Sequence, residues 1–177
     1  MTCVVAIAHN GKVYMGGDSA AVDEGNNLIG TRKEPKVFVR DDYIIGYAGS
    51  FRFGKIVEHC PLPPVPEVDN LDHFLNISFV EAIRDAAESA RLDQASDIDS
   101  SQLLVGVRGR LFEFCEDWHL GEDRNNFNAI GSGSLIALGS LYSTGRSKSP
   151  IARIKLALEA SEALSPFVRR PFTILER

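Results

Sequence analysis

At 177 residues, 44% hydrophobic and 24% charged, the chain has the length and composition of one globular domain, residues 1–177, with a full core rather than of a disordered or fibrous protein. Nineteen Lys and Arg spread among 24 Asp and Glu leave a net charge of -5, which argues against nucleic acid or an anionic membrane as a partner. Three scattered cysteines, Cys3, Cys60 and Cys115, form no C-x-x-C pair, which fits a reducing cytoplasm and suggests neither a disulfide framework nor a zinc site.

The stretch "TCVVAIAHNGKVYMGGD" reads as a hairpin, because two β-branched apolar runs flank Asn10-Gly11, the dipeptide that best tolerates a tight primed turn. The same stretch lacks the basic flank of a secretory signal. If His9 faces Lys12, paired positions sum to 21, and Thr2 falls opposite Ser19 with Asp18 beside it. A regular ladder points Asp18 to the other face from Thr2, but Gly16-Gly17 can accommodate a bulge or bend, and the two residues are expected to be near neighbours.

"KVFVRDDYIIGYAGS" predicts a second hairpin turning at Asp41-Asp42, which makes four strands in the first fifty residues. A short helical stretch, "FRFGKIVEH", precedes "CPLPPVPEVDN", whose prolines dictate an extended connector. From Leu71 to about Leu92, Leu71, Phe74, Leu75, Phe79, Ile83, Ala86 and Ala90 mark one face of an amphipathic helix, capped by Asp69 or Asn70. "SQLLVGVRGRLFEFCED" predicts a third hairpin at Arg108-Gly109, and "AIGSGSLIALGSLY" a strand, a glycine turn and a helix. Ser149-Pro150 starts a last helix that ends by Pro166, and "PFTILE" is a closing strand. This order predicts an α+β fold of two antiparallel sheets with helices packed outside them.

Three candidate sites are weak on their own residues. "GGDSAA" comes near the serine nucleophile elbow, but "AAVDEGNN" is no helix and the strand-helix alternation of that hydrolase fold is missing. The histidines, His9, His59, His73 and His119, show no metal-ligand spacing, so no metal and no cofactor is expected. "GSGS" at 131–134 precedes a helix, where an anion could sit, yet lacks the lysine of a phosphate loop.

Thr2 is stronger because of its company. A small residue after Met1 permits removal of that methionine, and the exposed α-amine, with an ordinary pKa of about 7.7 to 8.0, is a base near neutral pH. Such an amine can take the proton from its own residue's hydroxyl. The chemistry also needs a cation that keeps the amine neutral and a carboxylate that orients the cation, and Asp18 and Lys36 are at hand. Cys3 alternates to the opposite face of the strand and would need a second residue removed.

These residues resemble the proteasome β-subunit type of N-terminal-nucleophile (Ntn) hydrolases, in particular the bacterial HslV-type peptidase. The carriers are "T-x-V-x-A-x-x-x-N-G-x-V-x-x-G-G-D", "K-V…I-I-G-Y-A-G-S", "A-I-G-S-G-S" and "A-L-E-A-S-E-A-L-S-P…R-P-F-T-I-L-E", in order over nearly the whole chain. The resemblance implies a four-layer αββα sandwich and a threonine peptidase with Thr2 as nucleophile and Asp18 as its acidic partner. Lys36 matches the catalytic lysine, with Lys33 as runner-up because residues 25–36 are about two longer than is usual in the family. Gly49 matches the oxyanion donor and Ser132 the serine that bonds the amine. Glu162 and Ser165 match an Asp-x-x-Ser pair, with glutamate in place of aspartate. The prolines of residues 61–66 interrupt the family's first long helix.

As partners the resemblance implies a peptide or unfolded-protein substrate and a homo-oligomeric ring, and it leaves open an ATP-dependent unfoldase. Two alternatives use the same fold: an amidohydrolase of small amides, and a catalytically silent ring-forming subunit.

Overall fold

The computed structural model describes residues 2–23, 28–67, 70–115, 117–145 and 148–177. The first hairpin pairs β1 (Val4–His9) with β2 (Lys12–Gly17) around Asn10 at φ 50° and Gly11 at φ 74°. Its register runs from His9↔Lys12 to Val4↔Gly17, as the Asn-Gly turn requires. The ladder then continues without the bulge that Gly16-Gly17 could accommodate, since the Asp18 N–H donates to the Cys3 carbonyl at 3.2 Å. Gly16 and Gly17 instead permit close packing: a Cβ at Gly16 would lie 2.5 Å from Ile154 Cγ2, and one at Gly17 would lie 3.2 Å from Val37 Cγ1.

Two further strands, β10 (Phe127–Ile130) and β11 (Thr173–Glu176), flank this hairpin and complete a sheet of order β10-β1-β2-β11. The second sheet is an antiparallel run of β5 (Val37–Arg40), β6 (Tyr43–Ala48), β7 (Gln102–Val107), β8 (Arg110–Phe114) and β9 (Leu120–Glu122). A separate ribbon joins β3 (Ala20–Val22) to β4 (Leu28–Thr31). The first fifty residues therefore hold six strands among the described residues, not four; three- and four-residue strands are too short to carry a period-2 signal.

Helix α1 (Phe51–His59) is capped by Ser50 Oγ, which accepts the Phe53 N–H at 3.2 Å. After the extended connector, α2 (Leu71–Phe74), a π turn (Leu75–Phe79) and α3 (Val80–Ser89) run on as one helical segment. Asn70 caps it by accepting the His73 N–H at 3.0 Å, while Asp69 lies outside the described residues. Every fourth residue is buried, Leu71, Leu75, Phe79, Ile83 and Ala87. A spacing of four drifts against a 3.6-residue turn, and the wider π turn absorbs the drift, which puts Ala87 rather than Ala86 or Ala90 on the core face. Helices α4 (Ser134–Thr144) and α5 (Pro150–Leu164) follow, α5 capped by Ser149 Oγ on the Ala152 N–H at 3.3 Å.

Three apolar clusters bind these parts into an αββα sandwich. Tyr43, Phe53, Phe79, Ile83 and Phe112 fill the space between α1–α3 and the second sheet. Val4, Met15, Val37, Ile44 and Leu104 lie between the sheets. Val5, Ile7, Leu141, Ile154 and Leu158 join the first sheet to α4 and α5. Each such side chain contributes about 1.5–3 kcal/mol by leaving water. Among the described residues no helix is long and apolar enough to cross a membrane.

Candidate active site

Three charged residues are buried among those described: Asp18, Lys36 and Arg153. Arg153 has a structural reason, because its guanidinium donates to the Leu141 carbonyl at 2.8 Å near the C-terminal end of α4. Asp18 and Lys36 face each other, Nζ to Oδ1 at 2.8 Å, with both side chains 0% exposed. Well-packed apolar residues in place of a buried ion pair are often as stable or more so, and stability alone therefore does not account for the pair.

Four donors converge on the Asp18 carboxylate. Oδ1 accepts Lys36 Nζ and the Cys3 N–H at 3.0 Å, and Oδ2 accepts the Ala20 N–H at 2.9 Å and the Arg169 N–H at 3.2 Å. The Asp18 side chain thus reaches the strand start that carries Thr2 without any bulge. Lys36 is fixed by its own carbonyl, which accepts the Tyr47 N–H at 3.0 Å and ties it to β6. Burial lowers the Lys36 pKa from its ordinary value, and Asp18 pulls it partly back. Lys33, the other candidate, is exposed.

Thr2 is 2% exposed and is held by the "GSGS" turn. Its N–H donates to Ser132 Oγ at 3.3 Å, and its carbonyl accepts the Ser132 hydroxyl at 3.3 Å and the Gly133 N–H at 3.2 Å. The turn that could have held an anion therefore seats Thr2. Gly131 sits at φ 86°, where a Cβ would lie 2.3 Å from the Thr2 carbonyl oxygen and 3.2 Å from Ala48 Cβ. The end of β6 is thereby brought beside Thr2, and Gly49 follows at φ 98°, where a Cβ would lie 2.3 Å from the Ser100 carbonyl oxygen.

Glu162 and Ser165 flank this arrangement from the end of α5. Glu162 accepts the Arg170 N–H at 2.9 Å and Arg170 Nε at 2.8 Å, and Ser165 Oγ accepts the Phe167 N–H at 3.2 Å. Arg169, between these contacts and Asp18, had no sequence signal, because it acts through its backbone. Ser161 could have been found as a polar residue on the apolar face of α5; it is fully buried and donates to the Gly133 carbonyl at 3.1 Å, steadying the turn under Thr2.

The rival nucleophiles are engaged elsewhere. Ser19 Oγ donates to the Pro171 carbonyl at 2.5 Å and is followed by strand, not helix. Cys3 packs in the cluster against α5, 3.5 Å from Ser161 Oγ, and burial pushes its thiol up to about 12.

No protein-family model matches this chain. The proteasome subunit beta of Gordonia bronchialis is 30% identical over 158 residues, which are 79% of this chain and 51% of that protein. The chain spans about half the length of the curated relatives it matches. Thiobacillus denitrificans BPH superposes with a TM-score of 0.78 at 19% identity, covering 99% of this chain and 97% of that one, and its complex with epoxomicin gives the same TM-score at 18% identity. HslV from Trypanosoma brucei gives a TM-score of 0.71 at 16% identity, covering 99% and 98%. The solved structures show the fold, and the sequence likeness to curated proteasome beta subunits supports a proteasome-like family of Ntn hydrolases.

Proposed function

We propose that residues 1–177 form one Ntn domain that works as a threonine-type endopeptidase in the cytoplasm, with Thr2 as nucleophile once Met1 is removed. The observation that carries this reading is the buried Lys36–Asp18 pair, joined through the Cys3 N–H to the residue after Thr2. In the chain that begins with Met1, the Thr2 nitrogen is an amide and no base. Loss of Met1 turns it into an amine beside Ser132 Oγ, with a lysine cation nearby to hold it neutral.

Thr2 Oγ then attacks the peptide carbonyl carbon while the amine takes the hydroxyl proton. The Gly49 N–H steadies the oxyanion, a contribution of about 3 kcal/mol for one such donor. Collapse of the intermediate breaks the C–N bond, the amine returns the proton to the departing nitrogen, and water cleaves the resulting ester. Asp18 and Lys36 set the field, and Glu162 and Ser165 position the turn at the end of α5. We assign the protein to a homo-oligomeric ring that admits peptides or unfolded chains, with an ATP-dependent unfoldase as the candidate feeder.

Intact-mass measurement and peptide hydrolysis test the reading. Mature protein is expected to be one methionine lighter than the gene product, to cleave fluorogenic peptides and to gain the mass of one epoxomicin. Thr2→Ala is expected to lose hydrolysis and the adduct with the fold retained, while Thr2→Ser keeps part of the activity. Hydrolysis that survives Thr2→Ala, or that is equally fast with Met1 in place, overturns the mechanism; small amides cleaved without peptides would instead indicate the amidohydrolase. Light scattering that reports a strict monomer at micromolar concentration overturns the ring.

A further inference from the structure

The connection from β8 to β9 holds a cluster that this chemistry does not use. One sulfur of Cys115, one carboxylate oxygen of Asp117 and one imidazole nitrogen of His119 all lie within 4.8 Å of one another. Alternate residues converge here because the loop is clipped shut. The Cys115 N–H donates to the His119 carbonyl at 2.9 Å, the Trp118 N–H donates to the Cys115 carbonyl at 3.0 Å, and Trp118 takes φ 66°.

Trp118 anchors the loop. Its ring meets Phe114 edge-on at 5.5 Å and lies under the Arg84 guanidinium at 4.9 Å. With the indole turned to the core, Asp117 and His119 are exposed and Cys115 is half-buried, so a solvated ion can reach all three. The Asp117 carboxylate is already oriented, since Oδ1 accepts the His119 N–H at 3.2 Å, and a bond through the other oxygen keeps that turn intact.

We propose that Cys115, Asp117 and His119 form a binding site for a borderline-soft divalent cation of the zinc class. A thiolate, an imidazole and a carboxylate are the donors such an ion takes, whereas calcium and magnesium require oxygen donors throughout. Bonds of about 2.0–2.3 Å at tetrahedral angles set ligand atoms about 3.3–3.8 Å apart, so side-chain rotation of roughly one ångström closes the set around an ion with water in the fourth position. The pattern C-x-D-x-H has a period of two and one residue of each kind, so no familiar ligand spacing marks it in the sequence. The other cysteines do not compete, because Cys3 and Cys60 are buried and burial raises both thiols.

Cobalt(II) titrated into the full chain is the test, with circular dichroism as the check on folding. A thiolate-to-cobalt charge-transfer band saturating at one equivalent and bleached by zinc is expected. Cys115→Ser is expected to abolish the band, and the Cys3→Ser, Cys60→Ser double variant to retain it. His119→Ala and Asp117→Asn are each expected to weaken binding by at least the roughly 10- to 100-fold that loss of an outer-shell partner brings. No charge-transfer band in the folded chain, a band that survives Cys115→Ser, or cobalt affinity indifferent to His119 and Asp117 overturns the proposal.

Discussion

Lys36 Nζ donates to Asp18 Oδ1 at 2.8 Å, and the carboxylate it meets has three backbone N–H donors besides. The two members of the pair are therefore unequal in what each leaves behind. Lys36→Met removes one of four donors from a carboxylate that stays solvated by amides. Asp18→Asn deprives a buried ammonium of its carboxylate and turns an amide NH2 toward other donors. Asp18→Asn is expected to be destabilising by about 3–5 kcal/mol, and Lys36→Met by distinctly less. Urea denaturation of the two variants and the double variant measures the difference, and equal losses would contradict it.

Tyr47 lies in β6 with a buried hydroxyl that finds no hydrogen-bond partner among the described residues. An unsatisfied buried hydroxyl is unfavourable by about 1–3 kcal/mol, so Tyr47→Phe is expected to leave stability at pH 7 unchanged or to raise it by about 1 kcal/mol. Burial also pushes the Tyr47 phenol from 10.0 up to about 12, and the Cys3 thiol from 9.0 up to about 12. The folded chain then holds protons that the unfolded chain releases. The stability from these groups is full below about pH 9 and is lost as pH rises toward 12. Lys36 has the opposite sign: its pKa is lowered from 10.5, so the unfolded chain binds more protons as pH approaches that value, and stability from this group rises there. Thermal denaturation from pH 8 to 12 should show a net alkaline loss that Tyr47→Phe reduces; an unaltered profile in that variant would count against the assignment.

Gly131 has a positive φ, and its missing Cβ would sit on the Thr2 carbonyl oxygen. Gly131→Ala is expected to displace Thr2 and to lower stability by about 1–3 kcal/mol through backbone strain and overpacking. Peptide hydrolysis should fall by more than tenfold while circular dichroism retains the native signature. Full activity in Gly131→Ala would mean that the placement of Thr2 does not depend on this turn.

Glu162 is tied to Arg170 by its backbone and side chain, and the neighbouring Arg169 N–H donates to Asp18. Glu162→Ala is expected to loosen that segment and to reduce kcat by about tenfold with little change in KM, as a positioning effect does. Arg170→Ala should have a smaller effect, because its backbone N–H remains. A larger loss in Arg170→Ala than in Glu162→Ala would reverse this order.

Much of the fold was legible where one residue pair dictates geometry. Asn10-Gly11 sets the register of β1 and β2, and Ser149-Pro150 starts α5. Gly16-Gly17 was ambiguous, because glycine marks both a bulge and a close approach, and only the position of Ile154 on α5 decides between them. The β3–β4 ribbon and β9 escaped because short strands carry too few side chains to alternate. At the candidate site, Thr2 and Asp18 stood out by residue type and hairpin register, whereas Lys36 was separated from Lys33 only by the strand that follows it. Arg169 did not stand out, since it meets Asp18 through a backbone amide that arrives 151 positions later, and Ser161 shows only as a polar residue on an apolar helix face.

That late-arriving amide gives synthesis a timing. A nascent chain can form its first hairpin as soon as Gly17 is made, yet Asp18 then lacks the Arg169 donor, and β2 lacks its neighbour β11. The hydrogen-bond set on Asp18 is completed only when residues near Arg169 fold back, so the buried pair beside the first strand stays unfinished while those residues have yet to emerge.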